Sequence, residues 1–352
     1  MKRLNILFLV AAAFAVFNVP AGFADSNERR GVKAGITGDI TEITKTDVTI
    51  KPRTRDAEKI PANEIVRIRW EGEPIKLNSG RGQEERGYLA NALTNYQDSL
   101  GDVKADNANL KTEVEYLIAR TTARMALADS TKVDEASKRL QDFQKAHSNN
   151  FRYFESLAFL GRVQMAKNDY AGAKTTFELL TQAPWGDYKM SAQIGTARVL
   201  LEQQQYDQAL QAFEAVIGMP GNSPAETARK QEALLGKATC LQKQQKHNEA
   251  ITALNEVIQK VSPDETAIQA EAYVRQGDSL QVVGKLKEAV LAYLHVDLLF
   301  QAETDLHAES LYQLWKLSPQ IGQPERGGEA LARLQADYPN NEWTKKSAGE
   351  TN

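Results

Sequence analysis

A pattern of side-chain size recurs along the C-terminal two-thirds of the chain and limits the folds available to it. A large residue is followed by alanine three positions later and by a second large residue after four more, as in Tyr170, Ala173 and Phe177. Residues at these spacings share one face of a helix. The central alanine lets a partner helix approach closely, and the large residues fill the space beside it.

The pattern repeats with a long and nearly regular period. Its copies are Leu89/Ala92/Tyr96, Val133/Ala136/Leu140, Tyr170/Ala173/Phe177, Tyr206/Ala209/Phe213, His247/Ala250/Leu254, Leu286/Ala289/Tyr293 and Gly327/Ala330/Leu334. From Ala136 onward, successive alanines are 37, 36, 41, 39 and 41 residues apart. Such a period indicates stacked supersecondary units rather than a single globular core.

A second small residue lies twelve positions before four of the alanines. These residues are Gly161, Ala197, Ala238 and Gly277. We therefore expect two antiparallel helices in each unit, in contact at their small residues. About six such helix pairs stacked side by side would form a mainly α-helical solenoid.

One stretch carries the resemblance to a known family. Leu157-x2-Leu160-Gly161, followed by Asn168-Asp-Tyr170-x2-Ala173-x3-Phe177, resembles the tetratricopeptide repeat (TPR). The resemblance covers roughly residues 80–345 and is most specific over residues 150–295. The units are longer than the family's usual length of about 34 residues, and the closing proline is displaced or missing. The family's late small residue is replaced by larger ones, which are Leu180, Val216, Val257 and Val296.

The N-terminus has the pattern of an export signal. Lys2 and Arg3 precede an apolar stretch from Leu4 to Phe17, and a small-x-small site ends at Ala24. An uncleaved anchor helix is the alternative, but Pro20 interrupts the stretch and leaves it short of the roughly 20 residues that a membrane span needs. We expect residues 1–24 to be removed after Ala24, which predicts a periplasmic or secreted protein without a transmembrane anchor.

Net charge and cysteine content exclude some classes of function. The net charge is −3 and would become −5 on loss of Lys2 and Arg3. Such a chain has no positive field for nucleic acid. Cys240 is the only cysteine, so no disulfide can form within the chain, and its position on the inner side of a predicted helix favours a buried, inert thiol.

Residues 25–78 are predicted to form a small β module. After a polar lead-in over residues 25–32, apolar residues alternate in short runs as far as Trp70. This favours four or five antiparallel strands, in a bent sheet or SH3-like half-barrel that leans on the first helices. The stretch resembles the N-terminal module of secreted bacterial TPR proteins of a planctomycete type, which have no assigned activity.

The basic residues of this module allow two interpretations. They are Lys51, Arg53, Arg55, Lys59, Arg67 and Arg69, and acidic residues lie between them. We interpret them as a solvated strand face. The alternative is that the module binds an envelope polysaccharide while the solenoid serves as a spacer.

The repeat domain is predicted over residues 79–346, after a polar linker from Leu77 to Arg86, with a disordered tail over 347–352. The predicted helices are 82–100, 105–128, 131–146, 151–167, 170–182, 188–203, 206–217, 225–244, 247–260, 264–283, 286–300, 303–317 and 325–337.

The sequence contains no motif for catalysis, a cofactor or a metal. GxSxG, HExxH, CxxC and phosphate-binding glycine loops are missing. The pairs His295/Asp297 and Asp305/His307 have a spacing of two, which points their side chains to different faces of a helix. We therefore predict a protein that is not an enzyme and binds neither cofactor nor metal.

The TPR resemblance implies a groove lined by the first helix of each pair. The family's inward positions fall on Arg162, Met165, Arg198, Leu201, Thr239, Gln242, Lys243, Asp278 and Gln281. Family members that clamp a C-terminal carboxylate use Lys and Asn at positions that here hold Glu155, Ala158, Arg162, Ser191, Ile194 and Arg198. Only two arginines match, so a clamp of that type is not predicted.

Together these features predict an exported, non-catalytic scaffold that binds a protein or peptide partner in the cell envelope. Capture of a helix in the groove and capture of an extended segment both fit the prediction. The sequence leaves open the identity of the partner and whether the chain forms a homo-oligomer.

Overall fold

The computed structural model describes residues 25–32, 34–262 and 265–351. The predicted export signal over residues 1–24 lies outside these ranges. Among the described residues, no helix combines the length and the apolar character that crossing a membrane requires.

Five short strands form the N-terminal part of the described residues. They are β1 Ser26–Arg29, β2 Asp39–Ile43, β3 Asp47–Lys51, β4 Glu58–Pro61 and β5 Ile65–Arg69. β1 pairs with β5, and β2, β3 and β4 form a three-stranded sheet, with all pairs antiparallel. The antiparallel strands confirm the prediction, but β1 lies in the expected polar lead-in. The apolar alternation that follows this lead-in forms no strand over the described residues 34–36.

The remainder of the described chain is helical. Its helices are α1 Ile75–Glu85, α2 Leu89–Asp102, α3 Ala108–Ala128, α4 Val133–Ala146, α5 Tyr153–Ala166, α6 Tyr170–Leu180, α7 Gly186–Glu202, α8 Tyr206–Ile217, α9 Pro224–Lys243, α10 His247–Lys260, α11 Thr266–Val282, α12 Leu286–Leu299, α13 Thr304–Leu317, α14 Pro324–Asp337 and α15 Glu342–Thr351. Helices that follow each other in sequence pack together. The solenoid is confirmed, with seven helix pairs in the described ranges rather than about six.

In the pairs α5/α6 and α11/α12, the two helices touch where an aromatic ring lies against glycine. A Cβ added at Gly161 on α5 would lie 2.5 Å from the Phe177 ring on α6, and one added at Gly277 would lie 2.5 Å from the Tyr293 ring. All seven central alanines are buried, as are the large residues four positions after them. The predicted contact at small residues is therefore confirmed.

Aromatic rings of the second helices also contact the first helix of the next pair. A Cβ at Gly195 on α7 would lie 2.4 Å from the Phe177 ring, and one at Gly236 on α9 would lie 2.3 Å from the Phe213 ring. The sequence analysis missed Gly195 and Gly236. Glycine costs a helix about 1 kcal/mol relative to alanine, and here it removes a steric clash with a buried ring that any larger residue would cause.

A common turn ends the first helix in five of the pairs. Its left-handed residue is Gly87, Asn168, Gln204, Gln245 or Gly284, with φ between 62° and 80°. After α7, the Gln204 amide donates to the Leu201 carbonyl at 2.9 Å and the Gln205 amide donates to the Leu200 carbonyl at 2.9 Å. These two hydrogen bonds define a Schellman motif. The recurrence of one turn fixes a similar angle between the helices of each pair.

The helix α1 corrects the predicted linker over Leu77 to Arg86. It is polar because its buried face carries Arg81 and Glu84 besides Leu77. Gly80 lies twelve positions before Ala92, and a Cβ added there would lie 2.7 Å from the Tyr96 ring. The spacing rule found in the later units therefore also holds for α1 and α2.

The C-terminal helix α15 corrects the predicted disordered tail over 347–352. It continues to Thr351 and packs on α13. The rings of Tyr312 and Trp343 lie 5.1 Å apart, and the Tyr312 hydroxyl donates to Glu350. These contacts shield the last helix pair of the solenoid, the task of a capping element in repeat proteins.

The β strands share their core with the first helices. Val48, Ile50 and Ile60 from the strands belong to one buried cluster that also contains Leu77 and Tyr116. The expectation that the module leans on the first helices is confirmed. A five-stranded unit of this size gains much of its buried apolar area from such contacts.

Replacing Gln204 with glycine should stabilise the protein. Gln204 has a φ of 62°, a conformation that costs about 1–2 kcal/mol for a residue with a Cβ. Glycine loses about 0.5–1 kcal/mol of chain entropy on folding. We therefore expect Gln204→Gly to raise the free energy of unfolding by about 0.5–1 kcal/mol, as measured by urea denaturation.

The neighbouring Gln203 provides the matched control. Its φ is −78°, so Gln203→Gly relieves no strain and should leave stability unchanged or lower it. A loss of stability in Gln204→Gly would contradict the left-handed turn.

Candidate functional site

The structure places the predicted groove residues on the first helices of four successive pairs. Arg162 and Met165 lie on α5, and Arg198 lies on α7. These three line one cavity of about 100 Å³. Its remaining lining residues are Ala158, Phe177, Ser191, Ile194, Gly195, Arg229 and Glu232. We call this cavity and its lining the α5–α9 groove.

The groove contains three arginines and one carboxylate. The Glu232 carboxylate forms ion pairs with Arg198 at 2.9 Å and with Arg229 at 2.5 Å. The Arg162 guanidinium has no carboxylate within 4.0 Å among the described residues, and lies 5.9 Å from the Phe159 ring. The groove therefore has an excess of positive charge, and Arg162 is the arginine without a counterion among the described side chains.

The surroundings of Arg162 disfavour its positive charge. The surrounding helices displace part of the water around its guanidinium, which lowers the pKa, and the charges of Arg198 and Arg229 lower it further, against the opposing effect of Glu232. The side chain is also exposed to water, so solvent screens part of this repulsion. Arginine keeps its charge at neutral pH, and an anion bound here would relieve the repulsion.

The other predicted groove residues do not join this cavity. The Gln242 side-chain amide donates to the Arg275 carbonyl and to the Ser279 hydroxyl, both at 2.7 Å, and ties α9 to α11. Asp278 accepts from Arg275 at 2.6 Å and from the Tyr293 hydroxyl at 2.7 Å. Their polar groups are thus used within the fold. Thr239, Leu201 and Gln281 are partly buried outside the cavity, and Lys243 is exposed.

Arg229 and Glu232 are the site residues that the sequence analysis missed. Both lie on α9, and Glu232 stands six positions before Ala238. Glu155 and Ser191 hold the same place relative to Gly161 and Ala197. Extending that register by one unit would have found Glu232. Arg229 reaches the groove because α9 is 20 residues long and begins earlier than α5 or α7 in their units.

A second, larger cavity lies where β5 meets α1, α3 and α5. Its volume is about 370 Å³, and charged side chains dominate its lining. Glu84 accepts hydrogen bonds from Arg120 at 2.6 and 3.1 Å, from Arg124 at 2.9 Å and from the Tyr96 hydroxyl at 2.7 Å. These contacts join α1 to α2 and α3. The cavity thus belongs to a network that holds helices together.

Arg152 forms the second centre of this network. It contacts Glu113 on α3 at 2.8 and 3.2 Å and Glu155 at 2.9 Å, and it reaches the Val66 carbonyl of β5 at 3.4 Å. Arg152 and Glu113 are both nearly fully buried. Removing one partner of a buried ion pair leaves an uncompensated charge, so loss of either residue should destabilise the contact between α3 and the start of α5.

The network should make the stability of the protein depend on pH. Burial raises the pKa of the Glu84 carboxyl, but the charge of Arg120 and the hydrogen bonds outweigh it and lower the pKa below its usual 4.5. Since the folded-state pKa is lower, ionised Glu84 stabilises the fold above pH 4.5. That contribution is lost as the pH falls through the folded-state pKa. In urea denaturation, Glu84→Gln should lower stability by about 1–3 kcal/mol at pH 7, with a smaller difference at pH 3.

Glu85→Gln is the control for this prediction. The Glu85 carboxylate contacts Arg67 and is largely exposed, so its loss should change stability little at either pH. A Glu84→Gln deficit of equal size at pH 7 and pH 3 would show that the ionisation of Glu84 is not involved.

The histidines lie in packing positions. His307 contacts Asp297 of α12 at 2.9 Å and the Tyr338 hydroxyl at 2.6 Å, and the His295 ring stacks on Tyr273 at 4.6 Å. Neither histidine contacts the carboxylate two positions away in sequence. The described residues contain no group of three His, Cys, Asp or Glu side chains that could hold a metal ion. Cys240 is buried as expected, and its burial raises the pKa of the thiol to about 11.

Most of the basic residues of the β module form ion pairs. Of the six basic residues singled out in the sequence, five lie within 4.0 Å of a carboxylate. They are Lys51, Arg55, Lys59, Arg67 and Arg69. This agrees with a solvated, paired strand face and adds no support to the alternative of polysaccharide binding.

Comparison with known proteins identifies the repeat. A family profile described as a tetratricopeptide repeat-like domain matches residues 91–270, just over half of the chain. The chain belongs to the TPR family. A search of curated proteins found no match.

Comparison with solved structures gives one match that supports the fold and a second, similar structure. A Rap protein in complex with competence and sporulation factor matches with a TM-score of 0.50 and 17% identity, covering 77% of this chain and 78% of that one. A TPR protein from Parabacteroides merdae has a TM-score of 0.49 and 16% identity, covering 77% of this chain and 95% of that one. At these identities the likeness concerns the fold alone.

Proposed function

We propose that this TPR protein is a non-catalytic scaffold that binds a protein or peptide partner in the α5–α9 groove. The observation that carries the proposal is the groove's lining. Three arginines and one glutamate, contributed by the first helices of three successive pairs, surround a cavity with apolar walls. A charged rim around an apolar centre is the usual composition of a protein-binding hot spot.

The family adds support of a coarser kind. TPR folds generally serve as protein-interaction scaffolds. A fold alone does not supply catalysis, which requires a specific site of reactive residues. The structurally similar Rap protein was solved in complex with competence and sporulation factor. That binding is a property of the Rap protein. For this chain the proposal depends on the groove itself.

Affinity capture tests the groove assignment. The purified full chain, immobilised, would be exposed to an extract of the source cell's envelope, and bound proteins would be quantified by mass spectrometry. The double variant Arg162→Glu/Arg198→Glu reverses two charges of the groove. It should recover at least about tenfold less of the specific partners, because the new glutamates would repel the partner charges that the arginines attract.

The matched control reverses two charges elsewhere. Lys138 and Arg139 on α4 form ion pairs only within their own helix. Lys138→Glu/Arg139→Glu should capture partners like the wild type. Equal recovery by the groove variant and the wild type would remove the groove as the binding site.

We also propose that the protein is exported and acts in the cell envelope as a periplasmic or secreted protein. The charged start, the apolar stretch and the small-x-small site at Gly22 to Ala24 support this. Intact-mass analysis of the protein from fractionated cells should find a chain that begins at Asp25, in the envelope or the medium. A chain that retains residues 1–24 and stays in the cytoplasmic fraction would contradict export.

A further inference from the structure

We propose that the α5–α9 groove binds an internal segment of its partner that presents two side-chain carboxylates on either side of an apolar residue. This inference depends on the proposed function and narrows it to one class of ligand. It follows from the charge of the groove, from the cavity between the arginines and from the position of Glu232.

The first argument concerns charge. Arg162, Arg198 and Arg229 lie together and share a single carboxylate, and Arg162 has none within 4.0 Å among the described residues. Guanidinium groups bind carboxylates through charge-assisted, often bidentate hydrogen bonds. A ligand carboxylate at Arg162 would supply the missing counterion, and a second could bind at Arg198 and Arg229.

The second argument concerns how far the charge extends. The three arginines belong to α5, α7 and α9, each packed on the next. Packed helices lie about 8–10 Å apart, so the positive charge runs along the groove rather than concentrating at one point. A C-terminal carboxylate is a single point charge. Two acidic side chains three residues apart in a polyproline II segment lie on one face of that segment, about 9 Å apart, and match the helix spacing.

The third argument concerns the apolar residue. Between the arginines, the cavity wall includes Ala158, Met165, Ile194 and the Phe177 ring, and the volume is about 100 Å³. An apolar cavity of about 150 Å³ can hold benzene. The cavity here is smaller and fits an aliphatic side chain of the size of valine or leucine.

The fourth argument concerns Glu232. Its carboxylate already lies between Arg198 and Arg229, so it occupies a place that a ligand carboxylate would use. Glu232 would therefore compete with the ligand from within the protein. Two substitutions in the same groove then have opposite expected effects. Loss of Arg162 weakens binding, and loss of the Glu232 charge strengthens it.

Fluorescence anisotropy with defined peptides tests the proposal on the full chain. The acidic probe is fluoresceinyl-Gly-Glu-Leu-Ser-Glu-Leu-Gly-amide, whose blocked ends carry no terminal carboxylate. The first comparison peptide replaces both glutamates by glutamine, and the second replaces both leucines by serine. The acidic probe should bind at least about tenfold more tightly than either comparison peptide, and its affinity should fall as salt is added.

Variants of the protein provide the second part of the test. Arg162→Gln should weaken binding of the acidic probe by about tenfold, and Glu232→Gln should strengthen it by about two- to fivefold. Arg139→Gln and Glu135→Gln on α4 change the same residue types outside the groove and should leave the affinity unchanged. Arg162 is exposed and Arg139 is partly exposed, so these variants should fold, and a circular dichroism melt would check this.

Several outcomes would overturn the inference. Equal binding of the acidic and glutamine peptides would remove the role of the carboxylates. Binding that appears only when the C-terminus is left free, or only when the serine carries a phosphate, would assign the groove to a different anion. If partner capture depends on the groove but the acidic probe shows no preference, the inference fails while the proposed function stands. If capture does not depend on the groove, both fail.

Discussion

The structure depends on contacts between aromatic rings and helical glycines. The Phe177 ring fits between Gly161 of its own pair and Gly195 of the next, so one side chain sets the spacing within a pair and between two pairs. Protein interiors are close-packed, and a ring with glycine on both sides has no room to shift. The first helices of successive pairs are thereby held at a fixed distance, which brings Arg162, Arg198 and Arg229 to one groove.

Buried charged residues connect the helices at the N-terminal end of the solenoid. Glu84 and Arg152 lie at the centres of ion-pair networks that join helices of the first three pairs, and Arg152 also donates to the Val66 carbonyl of β5. Buried ion pairs add little net stability compared with apolar packing, but breaking one is costly. Such a network therefore favours one relative placement of these helices over others. The α5–α9 groove has more arginines than carboxylates, so it is suited to an external anion. The network around Glu84 and Arg152 differs because its charges are paired within the fold.

The strengths and failures of the sequence analysis have physical causes. Helices from α3 to α14 were predicted within a few residues because their apolar positions recur with a helical period. The helix α1 was missed because its buried face carries Arg81 and Glu84, whose burial depends on ion-pair partners outside the helix. The helix α15 was missed because its contacts with Tyr312 and Lys316 come from a helix about 35 residues earlier. Within the groove, Arg162, Met165 and Arg198 were found from their register in the repeat, whereas Arg229 lies outside the register that was mapped.

The sequence by itself determined the repeat, the pairing of helices at small residues and the family, because each of these follows from spacing along one chain. It also determined that the first helices present arginines at related positions. Only the tertiary structure decided which charges are neutralised. Gln242 and Asp278 form hydrogen bonds within the fold, and Glu232 forms ion pairs with Arg198 and Arg229. Arg162 has no carboxylate within 4.0 Å among the described side chains. An ion pair requires two groups within about 4 Å, and for groups on different helices the packing of those helices sets that distance.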